Sequence, residues 1–103
     1  MTSDQVMDII LDEISGPRDL TNLHGVNLRE CLITPVLEDY INSFNHSEVF
    51  RLWTVLKESN EDTGYVIFYD EEDNTFGIGS RSQGGPLTYL SNYGSFIETL
   101  KEM

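Results

Sequence analysis

The sequence predicts an α+β domain: an N-terminal helix, an antiparallel sheet of about five strands, and a C-terminal helix. Three observations lead there. Near the N-terminus, apolar residues recur at four-residue spacing, which is a helical period. Through the middle of the chain, β-branched and aromatic runs alternate with short polar links, the pattern of strands joined to antiparallel neighbours. Close to the C-terminus, Ser95 and Glu98 form an S-x-x-E capping box around the apolar residues Phe96, Ile97 and Leu100. At 103 residues, the chain makes a single globular domain over residues 1–103 and is too short for two ordinary ones. A domain of this size buries roughly 65% of its unfolded surface, so a core is available without disulfides or metal.

The first helix is expected from about Asp4 to Ser15. Val6, Ile10 and Ile14 form its apolar stripe, with Met7 and Leu11 beside them. Ser3 is the expected N-cap, Asp4 complements the dipole, and Gly16-Pro17 is a stop. Arg18 to Gly25 reads as a loop. Leu28 to Thr34 reads as a strand that ends at Pro35, a residue unable to donate to a sheet interior. Val36 to Phe44 fits a second strand, although the spacing of Val36, Tyr40 and Phe44 also fits a helix. Asn42 to Ser47 has turn chemistry. Glu48 to Lys57 is apolar on both faces and reads as a central covered strand. Tyr65 to Tyr69 and Phe76 to Ser80 follow as strands, separated by the polar turn Asp70 to Thr75. Gly77 and Gly79 share one strand face, where a ring or a backbone can approach closely. Ser82 to Asn92, with Gly84-Gly85-Pro86, reads as a loop, and the last helix begins near Phe96.

Charge excludes several functions. Eighteen acids against six bases give a net charge of −12, which opposes direct binding to nucleic acid or anionic lipid. The acidity is no detachable tail, because dividing the chain at residue 52 leaves nine acids and three bases in each half. There is no apolar run of about 18 residues to span a membrane. No basic residue precedes an apolar stretch at the N-terminus, and Cys31 is the only cysteine, so a cytoplasmic location is expected. In that compartment the acceptor pattern Asn45-His46-Ser47 carries no glycan.

No catalytic, cofactor or metal site is read. Asp70-Glu71-Glu72-Asp73-Asn74 resembles the opening of a calcium loop, but the required Gly and Glu positions hold Thr75 and Arg81. His24, His46 and Cys31 have no metal-ligand spacing, and Cys31 beside Leu32 and Ile33 reads as a small core residue. The glycine pairs lack the Lys-Ser/Thr of a phosphate loop. Glu30, flanked by Arg29 and Cys31 in an expected strand, is the least ordinary acid and is not read as catalytic.

The candidate partner-binding residues are Asp4, Asp8, Asp12, Asp70, Glu71, Glu72, Asp73, Tyr89 and Tyr93. Asp4, Asp8 and Asp12 line one stripe of the first helix and rise by about 6 Å per step. Duplex phosphates lie roughly 7 Å apart along a strand, so such a stripe could meet the basic cleft of a nucleic-acid enzyme. The same stripe also reads as the wet face of an amphipathic helix. Tyr89 and Tyr93 fall in the expected loop before the last helix, where half-exposed rings can anchor a partner.

Four segments resemble a group of short bacterial proteins of uncharacterised function: Leu52-Trp53-Thr54-Val55-Leu56, Gly64 to Asp70, Phe76-Gly77-Ile78, and Tyr93-Gly94-Ser95-Phe96-Ile97-Glu98-Thr99-Leu100. About half of the chain is covered. The resemblance implies core strands, a glycine kink and a helix cap, and brings no catalytic residue. In size, charge and class the chain also looks like the immunity proteins that neutralise bacterial toxins. The expectation is therefore a cytosolic, non-enzymatic binding domain of immunity or inhibitor type. It would block a basic protein such as a toxin nuclease. A structural subunit of an assembly is the alternative, ahead of a small carboxylate-dependent enzyme.

Overall fold

The computed structural model describes residues 1–14, 31–58, 64–81 and 86–102. Its elements are α1 (Ser3–Glu13), β1 (Leu32–Asn42), β2 (Val49–Lys57), β3 (Gly64–Asp70), β4 (Thr75–Arg81), β5 (Leu87–Gly94) and α2 (Phe96–Glu102). This is the α+β order expected from the sequence. The sheet goes further, because it closes into a barrel in the order β1-β2-β3-β4-β5. Four ladders between chain neighbours are antiparallel. A short parallel pairing, Tyr40 to Leu87 through Asn42 to Tyr89, joins β1 to β5.

Closure needs curvature, and irregularities in three ladders provide it. The register shifts between Leu32 and Val36 in β1, between Thr54 and Leu56 in β2, and twice along the β4–β5 ladder. The first shift explains a departure from expectation. Pro35 does not end a strand; β1 runs through it, because the irregular stretch needs no ladder hydrogen bond from its nitrogen. Val36 to Asn42 thus continues the strand that starts at Leu32, and its helical alternative is not adopted.

The two faces of the barrel wall form two cores. Inside, Tyr40, Leu52, Val66, Phe68 and Leu87 cluster, with Phe50 and Tyr89 packed against them. Outside, Val6 and Ile10 of α1, its C-cap Ile14, and Phe96 and Leu100 of α2 cover Trp53, Val55, Leu56, Ile67, Tyr69 and Phe76. Alternation along β2 and β3 makes this division: Leu52 and Val66 point in, while Trp53 and Ile67 point out. Each large side chain buried this way contributes roughly 1.5–3 kcal/mol. The interior is narrow, so β4 lines it with Gly77 and Gly79. A Cβ at Gly77 would fall onto Ser91 O and the Phe68 ring, and one at Gly79 would lie 2.8 Å from Tyr40 Cε2. The close approach expected of these glycines is what the barrel uses.

Both helices are fixed by side chains. Thr2, not Ser3, caps α1: its Oγ1 accepts from Gln5 N at 3.3 Å, and its own nitrogen donates to Gln5 Oε1 at 2.8 Å. The Ser3 hydroxyl donates instead to Pro35 O at 2.8 Å, docking α1 on β1. At α2, Ser95 Oγ accepts from Glu98 N at 3.1 Å, the expected cap. Glu13 adds a cap from the other end of the chain, its carboxylate accepting from Phe96 N at 3.1 Å and Ile97 N at 3.4 Å. The expected loop over 82–92 is a strand from Leu87 onward, because β5 must pair with both β4 and β1 to close the barrel. The Gly16-Pro17 stop, the loop from Arg18, the start of the strand expected at Leu28, and Gly84-Gly85 lie outside the described residues, as do His24 and Glu30.

Candidate functional site

The β3–β4 turn and the β1–β2 hairpin meet at one end of the barrel, since the start of β2 runs beside the end of β3. A recess of about 280 Å³ joins them, lined by Val49, Phe50, Arg51, Leu52, Asp70 and Glu72. Glu71, Glu72 and Asp73 are exposed and Asp70 is half-buried. The turn is built by its own polar groups. Asp70 Oδ1 accepts from Glu72 N at 3.0 Å. Asn74 takes the left-handed conformation, φ 55°, which asparagine tolerates. The buried Tyr69 hydroxyl donates to Asn74 Oδ1 at 2.6 Å, anchoring the turn to the strand before it.

Two further candidates come to this place. The Met1 amino group lies 3.6 Å from Glu71 Oε2, so the first turn of α1, with Asp4, adjoins the acidic turn. Asp4, Asp8 and Asp12 are all exposed on the side of α1 opposite Val6 and Ile10. Tyr89 is not a loop residue. Its ring is half-buried in β5, 5.1 Å from Phe50 and 5.2 Å from Phe68 between centroids. Burial first, and then the charges of Asp70 and Asp73, hold its phenol above the ordinary tyrosine range. Tyr89 therefore backs the acidic turn and is largely committed to packing. Tyr93, also on β5, lines a separate cleft of about 300 Å³ with Tyr65, Ile78, Leu90, Ser91 and Glu102. The sequence-predicted set thus divides into an acidic end with Asp4 beside it and Tyr89 behind it, the remaining α1 stripe of Asp8 and Asp12, and a second cleft that holds Tyr93.

The spacing of the sequence did not single out a polar chain at the barrel wall. Tyr40 is completely buried. Its hydroxyl lies 2.5 Å from Thr54 Oγ1, which donates to Glu38 Oε2; Arg81 Nη2 stands 3.4 Å from both Glu38 carboxylate oxygens. With the Thr54 proton directed at Glu38, Tyr40 is the donor to Thr54. A phenol without exposed surface offers no face to a substrate, so this chain is a brace between β1, β2 and β4.

Burial raises the Tyr40 phenol far above its ordinary value; Thr54 pulls it down, Glu38 pushes it up, and Arg81 pulls it down. In the unfolded chain the same group ionises near pH 10, so the folded state keeps its proton to higher pH. The stabilisation is complete below about pH 10 and is lost as pH rises through the folded value. Urea unfolding from about pH 8 to about pH 11 should show a level stability, then a fall of up to about 1.4 kcal/mol per pH unit for each such tyrosine. Tyr40→Phe should make that fall shallower. An unchanged slope would remove Tyr40 as its source.

Among the described residues, no group of three His, Cys, Asp or Glu side chains could hold a metal ion. His46 is exposed in the β1–β2 hairpin. Cys31 is half-buried against the outer core, its thiol 3.8 Å from Glu58 O. No described helix is long and apolar enough to cross a membrane. No family model, curated protein or solved structure matches the chain.

Proposed function

We propose that the protein is a small acidic binding domain of the inhibitor or immunity type, acting in the cytoplasm on a basic protein partner such as a toxin nuclease. The observation that carries this reading is arithmetical. With a net charge of −12, twelve carboxylates remain even if every Lys and Arg finds an acid. Of the fourteen described acids ten are exposed, and six of these stand on α1 and at the β3–β4 turn. A coherent negative surface speeds encounter with a cationic partner and rejects acidic ones. The barrel behind it is filled by its own side chains, which suits a rigid contact surface more than a binding cavity.

Immobilised full-length protein, exposed to extract of the source cells at low salt, should hold a basic protein that high salt releases. Asp70→Asn, Glu71→Gln, Glu72→Gln and Asp73→Asn combined should slow association with that protein by about tenfold at low salt, with little difference at high salt. The captured protein's own activity should be suppressed in the complex. Retention indifferent to ionic strength, or the absence of any basic protein, would remove the reading.

A further inference from the structure

We propose that Phe44, at the tip of the β1–β2 hairpin, is the apolar anchor by which the domain engages its partner. Its occupant is a basic protein that offers a nonpolar pocket with a cationic rim. The inference rests on the binding role argued above and names the residue that role turns on.

Phe44 is 88% exposed, the most exposed large apolar side chain described, and belongs to neither core. Its position is not slack. Phe44 N donates to Asn42 Oδ1 at 2.9 Å, and Asn45 N donates to Asn42 O at 3.3 Å. Asn45 Oδ1 accepts from Ser47 N at 3.2 Å and Ser47 Oγ at 2.6 Å, while Asn45 Nδ2 donates to Glu48 Oε1 at 3.1 Å. Ser43 N donates to Tyr89 O at 3.2 Å, which ties the hairpin to β5. These bonds order the backbone that carries the ring when the chain folds, so that part of the cost of binding is met in advance.

The surroundings choose the partner. Val49, 58% exposed, follows the hairpin and lines the recess with Phe50, Arg51, Asp70 and Glu72. Glu48 is exposed beside the tip. With Glu48 at the tip and Asp70 and Glu72 lining the recess beyond it, an aromatic prong on an acidic end of the barrel complements a nonpolar pocket bordered by Lys or Arg. A second copy of this chain would bring its own charge of −12 to the same end, so self-association is disfavoured.

The test uses the full-length protein and the basic protein it captures, identified by mass spectrometry and purified. Phe44→Ser should weaken the affinity about tenfold or more while leaving thermal unfolding unchanged, because the ring touches no core. Phe44→Leu, still apolar, should retain most of the affinity. If the basic protein is held in a salt-sensitive way but Phe44→Ser binds within about twofold of the parent, the anchor is wrong and the acidic reading stands. If the parent captures no basic protein, both fall together. A dimer of the parent that Phe44→Ser abolishes would replace this inference with a homotypic interface.

Discussion

Gly77→Ala is expected to cost about 3 kcal/mol or more, a large share of the stability of a small domain. The added methyl would land on Ser91 O, which is backbone, and on the Phe68 ring, which is fully buried among its neighbours. Neither can retreat without moving β5 or emptying the barrel. Gly79→Ala should come second at about 2 kcal/mol, since its Cβ would lie 2.7 Å from Thr88 O and 2.8 Å from Tyr40 Cε2. Gly94→Ala makes only ordinary contact, with Glu98 Oε2 at 3.6 Å, and should lose only about 1 kcal/mol through its φ of +102°. Urea midpoints with unchanged slopes would rank the three. If Gly77→Ala proved as stable as the parent, the interior would have to be looser than its contacts indicate.

Thr54→Val should destabilise by about 1–3 kcal/mol, although the two side chains have nearly the same shape. The substitution leaves the Tyr40 hydroxyl buried without its acceptor and takes a donor from Glu38. Tyr40→Phe is milder, at about 0.5–1.5 kcal/mol, because Thr54 keeps its bond to Glu38. Combined, the two substitutions should cost less than the sum of the singles, since no phenol remains to be stranded. Full additivity in this cycle would mean that the hydroxyls do not act as a chain.

Much of this architecture was legible in local pattern. Val6, Ile10 and Ile14 announced α1, the dense run at Tyr65 to Tyr69 announced β3, and Ser95 with Glu98 announced α2. What escaped was non-local. Pro35 is a local breaker and the loop reading extends to Asn92, and the pairing demands of a closed barrel make strand of Pro35 and of the chain from Leu87 onward. Thr2 and Ser3 are both good caps by residue type, and only the Thr2–Gln5 box with Ser3 turned to Pro35 decides between them. Glu13 could not be linked to α2, since nothing in a sequence reports a contact across 83 residues. At the candidate site, the acidic turn was visible as composition. Phe44 left a trace, an aromatic residue inside asparagine turn chemistry, whose meaning depended on knowing that the hairpin tip projects from the barrel.

The parallel seam between β1 and β5 has a kinetic consequence. Every other ladder joins neighbours in the chain and can zip from its own short connection. The seam alone unites the first strand with the last, through the pairs Tyr40–Leu87, Ile41–Thr88 and Asn42–Tyr89. It can form only after the intervening meander has wound into place, and its entropy of loop closure is the largest in the sheet. Sealing is thus a late step of folding, and before it each unfinished molecule carries two open edges on which a nascent neighbour could template.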